Sequence, residues 1–344
     1  MRYGWNSTAY QILNPGIQHW FHPNGEAVVG YVRKHRYLLA AGAPVCAPEN
    51  LATITRAFEQ FAAGQTCRVC YVCAAGRLRD LLDESPRHCV VAVGAEPVWD
   101  PARWPDIVRR RRSLRAQLHR ALNKGVRIGE IAPRDAVDDP EFRCVLAEWL
   151  ACRRLPPLHF MVEPEVLRGV VDDRIVLAAR RGGRLIAYLV ASPIAARRGY
   201  LIEEVARSPE SPNGTSELLI DAAMRRFADE GSGHVVMVTM GLVALSGDHL
   251  TRNPAWLRTL MFVARAHANR FYNFRGLEHF RTKMDPCRWE PVYFISNEKR
   301  FSVAALYAIG GAFSGISPLR AIWLGVMKGV ADEIRGLGRR MQLS

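Results

Sequence analysis

The sequence predicts an α/β protein of two tandem modules, each built on a mixed central sheet. Three observations carry the prediction. β-rich runs alternate with stretches of helical period through both halves of the chain. The N-terminal half reads ββαβαβ, and the C-terminal half repeats it as ββ, β, α, β, α, β without a resolvable sequence repeat. Between the halves, residues 103–127 carry nine basic side chains against one acid. A length of 344 residues accommodates two domains of about 150 each.

In chain order, residues 25–34 (GEAVVGYVRK) and 36–45 (RYLLAAGAPV) are β-rich runs separated by Lys34-His35, which predicts a hairpin. Leu51, Ile54, Thr55, Phe58 and Phe61 then recur at helical spacing. A strand at 67–74, a helix at 76–84 and a strand at 88–94 complete the first half. In the second half, 173–192 is a hairpin turned by Gly182-Gly183, and 199–208 is a third strand. Leu218, Leu219, Ala222, Ala223 and Phe227 share one face of a helix over 215–230. A strand at 234–240, a helix at 251–269 and a strand at 291–295 follow. The expected division is an N-terminal module 1–102, a basic linking helix 103–127, a catalytic module 128–300 and an apolar, basic tail 301–344.

Composition excludes a disordered or collagen-like chain: 49% of residues are hydrophobic and 23% charged. The formal net charge is +14, and the excess is nearly all arginine, 42 Arg against 5 Lys. Arginine presents a planar fork of donors matched to phosphate and carboxylate, so an anionic partner is the first expectation. A codon bias toward Arg and Ala explains the ratio equally well, although not where the charge lies. No apolar run opens the chain, so no secretory signal is read and the cytoplasm is the expected location. Cys67, Cys70 and Cys73 form C-x-x-C-x-x-C, but the β-forming run CRVCYVC lacks the further Cys-Pro of a ferredoxin, so buried strand cysteines are expected. The ten histidines are scattered, and no metal site is expected.

The basic segment holds more than half of the net charge. Leu114, Leu118 and Leu122 at four-residue steps would pin one side of a helix to the core. Exposed helices normally mix both signs, and this one does not, which points to an anion-binding role rather than a solvated linker. Arg109, Arg110, Arg111, Arg112, Arg115 and Lys124 are the candidate phosphate contacts. Further on, a strand runs through EEVARSPESPNG into a helix opened by Thr215 or Ser216. Gly214 lets backbone N–H groups turn inward at a helix N-terminus, a cradle for an anion. Any strand-to-helix turn also wants Pro, Asn and Gly, so order along the chain matters more than the turn alone. Hairpin, third strand, turn, helix and strand together match acyltransferases of the GNAT (acyl-CoA N-acyltransferase) type. Those hold coenzyme A at this turn and lodge the acyl group where two strands splay.

Residues 200–220, 238–247 and 271–294 resemble, in order and spacing, the C-terminal catalytic region of lysyl- and alanyl-phosphatidylglycerol synthases, and the similarity extends upstream through 114–128 and WNSTAYQIL at 5–13. The resemblance implies two tandem GNAT-like domains and an aminoacyl-tRNA-dependent transfer. The flippase that precedes the catalytic part of many members is absent from this sequence. Residue by residue, the family's Pro-Asn-Gly turn and following acid correspond to Pro212, Asn213, Gly214 and Glu217. Its Leu-Gly-x-x-Pro-Leu-Ser block keeps Gly241, Leu245 and Ser246, with Ala244 in place of proline. Its basic pair before Pro286 survives as Arg281 and Lys283. On the third strand Glu203 stands for aspartate, while Ala206 sits where arginine is expected, with Arg207 adjacent.

The expected function is an aminoacyltransferase that moves an amino acid from aminoacyl-tRNA to a hydroxyl or amine, most readily on a phospholipid such as phosphatidylglycerol. Glu203 and Lys283 are the catalytic candidates. Strand alternation allows only one of Glu203 and Glu204 to face a cleft. Arg207, Asn213, Gly214, Thr215, Glu217, Gly241, Leu245, Ser246 and Arg281 are the candidate substrate contacts. No cofactor is expected beyond the aminoacyl-tRNA co-substrate, and no DNA partner; anionic phospholipid is the second partner. Two alternatives stand beside this reading: an N-acyltransferase using acetyl-CoA or another acyl-CoA, and a degenerate transferase that only binds anionic lipid or RNA. Residues 301–319 carry no charge, and their glycines favour a docked helix or a helix in the bilayer interface over a membrane span.

Overall fold

The computed structural model describes residues 2–153, 158–169, 172–237, 252–268 and 280–315, with the backbone alone for 264–268. The strands are β1 (Gln18–Phe21), β2 (Val28–Lys34), β3 (Tyr37–Ala41), β4 (Arg68–Ala74), β5 (Cys89–Trp99), β6 (Arg127–Ile131), β7 (Ile175–Arg181), β8 (Arg184–Ile194), β9 (Gly199–Arg207), β10 (His234–Met237) and β11 (Arg288–Ser296). They form one sheet in the order β1-β2-β3-β4-β11-β5-β10-β9-β8-β7-β6. Two neighbouring pairs are parallel, β3 with β4 and β9 with β10; the rest are antiparallel.

The two halves are related in layout. In each, an antiparallel hairpin leads through a helix to a parallel strand: β2-β3, α1 (Leu51–Gly64), β4 in the first, and β8-β9, α7 (Thr215–Asp229), β10 in the second. Their last strands are exchanged. β11, from the end of the second half, lies between β4 and β5 of the first, and β5 continues as the partner of β10. Hydrogen bonding therefore runs unbroken from β1 to β6, and residues 103–127 divide the chain without dividing the sheet.

One face of the sheet is covered by α1 and α2 (Gly76–Leu82) over the first half, and by α3 (Trp104–Arg110), α4 (Arg112–Asn123) and α7 over the second. The other face carries α5 (Pro133–Asp138), α6 (Pro140–Ala151), α8 (Ala255–Ala268), α9 (Val303–Ser314) and the N-terminal 3-10 turn Ser7–Leu13. We call this second face, where it crosses from β11 to β8, the seam.

Most sequence-predicted elements form where expected, and the departures have local causes. The hairpin at Lys34-His35 turns through His35 at φ +55°. The basic segment is two helices rather than one, because Arg111 takes a non-helical ψ of 86°. Leu114 and Leu118 are buried as the spacing predicts, but Leu122 is 44% exposed and Ala121 takes its place against the core. β1, β6, α5 and α6 carry weaker periodic signals and are additions of the structure. Cys67 and Cys70 are buried at and on β4, and burial pushes the Cys73 thiol up to about 12. Phe301 and α9 pack through Ala305, Ala308, Ile309 and Ala312 into the core of the first half, so 303–314 is a docked helix; 316–344 lie outside the described residues. No described helix is long and apolar enough to cross a membrane.

Candidate active site at the seam of the sheet

β9 pairs with β8 in regular alternation except at one point, where Glu204 faces Val190, Ile202 faces Ala191, and Glu203 is the extra residue. A bulge of this kind rotates the residues that follow it, so strict alternation fails. Ile202 packs into the core under α7, while Glu204 and Ala206 lie on the seam face with Tyr188. Glu203 reaches the same face. Its carboxylate accepts from Arg174 Nε at 2.9 Å, with the two side chains 1% and 3% exposed. The Arg174 guanidinium also lies 4.9 Å over the ring of Tyr10 from the N-terminal turn. The expectation of strict alternation is thus corrected by the bulge, and both carboxylates lie buried on one face. Ala206 is fully buried, and the cation that pairs with Glu203 is Arg174, just before β7.

Glu204, 5% exposed, has no partner for Oε1 among the described residues. Burial pushes its carboxyl up to about 8, against the pull of Tyr188 and Arg153.

A second acid lies deeper along the seam. Glu96 on β5 faces Glu290 on β11 across the ladder and accepts from Ser7 Oγ at 2.9 Å. Burial pushes its carboxyl up to about 7; Ser7 pulls it down, Glu290 adds to the rise, and Arg197 and Arg281 oppose it. Glu290 accepts two bonds from Arg197, at 2.7 and 2.8 Å, and two from Arg288, at 2.9 and 2.8 Å. Burial alone would raise Glu290, but the Arg197 fork and then Arg288 hold it well below the usual carboxylate range. Burial, then Arg197, holds His234 below its usual value and hence neutral. Arg197 and Arg77 both stack on Trp5, at 5.1 and 5.3 Å, and Gln11 Nε2 donates to Ser192. The N-terminal turn therefore lies across the seam and touches both acid clusters.

Because Glu96 stays protonated in the folded protein to about pH 7 while the unfolded chain ionises near 4.5, folding stability should fall as pH rises through that window. The slope is about 1.4 kcal/mol per pH unit, flat above it. His234 and Glu204 also titrate across this range, so the contribution is read as the difference between the parent and Glu96→Gln in urea unfolding from pH 4.5 to 8. A difference independent of pH would show that the acid is not buried in its protonated form.

The turn before α7 is closed rather than open. Gly214 sits at φ +97°, and a Cβ there would run into the Gln117 carbonyl of α4. Thr215 Oγ1 donates to the Pro212 carbonyl at 2.7 Å, and Ser211 Oγ to that of Ile186 at 2.6 Å. Lys283 Nζ pairs with Glu217 Oε1 at 3.0 Å on the first turn of α7. The turn thus packs on α4 at its glycine, with the Gln117 carbonyl against the side where a Cβ would stand. Asn213 and Arg207 are exposed. Arg281 and Lys283 occupy one helical turn and point apart: Lys283 reaches Glu217, whereas Arg281 is 6% exposed and acts on Glu96. Two residues apart on a helical turn, the pair does not share a face. Gly241, Leu245 and Ser246 lie outside the described residues.

Arg109 to Arg112 are all exposed at the junction of α3 and α4. Arg109 pairs with Asp106, and Arg110 and Arg111 with Asp285. Arg115 instead turns inward to the carbonyls of Val108 and Arg109, where it braces the break between the helices. Lys124 is exposed, and its carbonyl accepts from Arg181 Nε at 3.0 Å.

Ser7, Tyr10, Glu96, Arg174, Arg197, His234 and Glu290 belong to the site and were not among the sequence candidates. One signal was available for Glu96, a lone acid in the otherwise uncharged run CVVAVGAEPVW. Another lay in WNSTAYQIL, a block of the resemblance whose Ser7, Tyr10 and Gln11 all turn out to touch the seam.

Two modules of like layout share one sheet with buried acids on one face, and it is the family that marks the chain as a transferase of acyl or aminoacyl groups. The chain belongs to the family described as phosphatidylglycerol lysyltransferase, C-terminal, whose model matches residues 1–296. Among solved structures, it is similar to a C-terminal domain from Agrobacterium fabrum, described as that of a lysylphosphatidylglycerol synthetase. The TM-score is 0.74 at 20% identity, over 90% of this chain and 93% of that one. The L-PGS structure from Bacillus licheniformis has a TM-score of 0.71 at 17% identity, over 95% and 93%. FemX has 0.51 at 9% identity, over 88% and 97%. At these identities the likenesses establish the fold. No curated protein sequence matches.

Proposed function

We propose that this protein transfers an amino acid from aminoacyl-tRNA to a hydroxyl of an anionic phospholipid, with phosphatidylglycerol the favoured acceptor. The family supports the reaction class, and the observation that carries the reading furthest is the buried acid pair at the seam, Glu96 beside Arg281 and Glu203 with Arg174. An aminoacyl ester is already activated, so the enzyme has to position it, take a proton from the incoming hydroxyl and stabilise the oxyanion. Glu96, with its carboxyl at about 7, is poised to accept that proton near neutral pH. The acceptor oxygen then bonds the ester carbonyl carbon, the bond to the tRNA ribose oxygen breaks, and that oxygen takes the proton. Arg174 fixes Glu203, whose negative charge suits the α-ammonium of the donor amino acid.

Arg109 to Arg112 supply the sequence-independent attraction to the tRNA backbone. Changing all four to alanine should weaken tRNA binding at low salt and lower the slope of log K against log salt by about 3. Filter binding across a salt series reads both, and unchanged binding would remove this segment from the tRNA interface. A coenzyme A-dependent transfer would instead show as a thermal shift with acetyl-CoA that charged and uncharged tRNA do not give. The decisive experiment supplies a radiolabelled aminoacyl-tRNA pool and phosphatidylglycerol, followed by lipid chromatography. Labelled lipid that disappears in Glu96→Gln is the expected result; no label in any lipid, for any amino acid, would overturn the proposal.

A further inference from the structure

α8 shows two faces to its surroundings. Leu257 is buried and Met261 partly so, against the core formed with α9 and the N-terminal turn. Asn253 pins the start of the helix to β5, donating to the Ala92 carbonyl at 2.7 Å and accepting from its N–H at 2.9 Å. Along one flank of the outward side Trp256 is 37% exposed, Leu260 44% and Val263 46%, and on the other flank Phe262 is 74% exposed. The patch continues onto α9, where Val303 is 67% exposed, because the Trp256 ring stacks at 6.4 Å on Phe301 two residues before it. Arg258, Lys299 and Arg300 are exposed around it, and none makes an ion pair with a described residue. No acid occurs in Ala255–Ala268.

We propose that this outward side of α8, with the start of α9, docks the protein on an anionic lipid surface; the proposal rests on the lipid-acceptor reading above. The chemistry selects the partner. Exposed tryptophan, leucine and phenylalanine with Arg258 on the same helix and Lys299-Arg300 just before Phe301 form the pattern of a helix lying in the headgroup region. A second copy of the chain would bring the same cations against these across a two-fold axis, so self-association is opposed by charge. A surface rich in phosphate complements them. α8 and α9 lie on the sheet face that carries Glu96 and Glu203, so docking there brings headgroups to the side of the candidate site.

The test uses the full chain and vesicles rich in phosphatidylglycerol, with phosphatidylcholine vesicles as the neutral control. The parent should float with the anionic vesicles and not with the neutral ones. Leu260→Glu/Phe262→Glu, with both side chains already exposed, should keep the parent's circular dichroism and lose flotation by about tenfold or more. A double variant that floats like the parent would overturn the proposal, as would a parent that never floats. Two further results overturn it in favour of another occupant. One is a parent dimer that the double variant converts to monomer; the other is hydrogen-exchange protection of α8 that vesicles leave unchanged. Aminoacyl transfer to a short-chain phosphatidylglycerol dispersed below its micelle concentration separates the two readings. The double variant should keep that activity while losing transfer to vesicles. If neither protein transfers to either lipid but the variant alone fails to float, the function proposed above fails and the docking surface stands.

Discussion

Arg174→Ala should destabilise the protein by about 3–5 kcal/mol and abolish its transferase activity. Arg174 and Glu203 are 1% and 3% exposed, and the guanidinium is both the carboxylate's hydrogen-bond donor and the cation stacked on Tyr10. Removing it leaves a charge deep in the sheet with the desolvation already incurred and the compensation gone. The loss is therefore larger than the net worth of the pair. Urea unfolding measures the stability term. Arg174→Ala/Glu203→Gln should recover part of it, because the second change removes the orphaned charge, while activity stays lost. If Arg174→Ala alone proved as stable as the parent, the pair would be solvated in solution and the seam would not be a closed site.

Gly214→Ala should cost about 2–5 kcal/mol, from a left-handed backbone that alanine disfavours and from overlap with the Gln117 carbonyl. Gly125→Ala separates the two causes. That glycine also has positive φ, +79°, but no atom lies within 4 Å of the added carbon, so only the backbone term of about 1 kcal/mol remains. Thermal or urea unfolding of the two variants reads the difference. If Gly214→Ala folded as well as Gly125→Ala, α4 would not be packed on this turn. The turn would then be free to serve as the anion cradle that its sequence suggests.

That contrast marks how much of the site was legible. The strand–turn–helix at 199–230 was placed correctly from periodicity and from Pro212, Asn213 and Gly214, since those signals are local. What the glycine is for was not. A cradle and a helix packed backbone to backbone both require glycine, and the second requirement comes from α4, about a hundred residues earlier in the chain. Glu203 lies on the strand read for it, but its relation to Glu204 depended on a bulge that leaves no mark in residue type. Arg281 and Lys283 were named together as a basic pair; one helical turn sends the first toward Glu96 and the second to Glu217.

By itself, the sequence determined the fold class, the order of the central elements in each half, the position of the basic cluster and the family. All of these depend on patterns within a few tens of residues, where apolar spacing, turn chemistry and charge are read directly. The tertiary structure alone decided that β5 and β11 trade places, so that the halves share one sheet, and that Glu96, Glu290 and Arg197 meet at the exchange. It also decided that Ser7 and Tyr10 close that site. The physical reason is that a strand's period fixes which of its side chains face the core but says nothing of its neighbour. Pairing is settled by long-range burial, and an acid in a buried strand takes its meaning from the strands placed beside it.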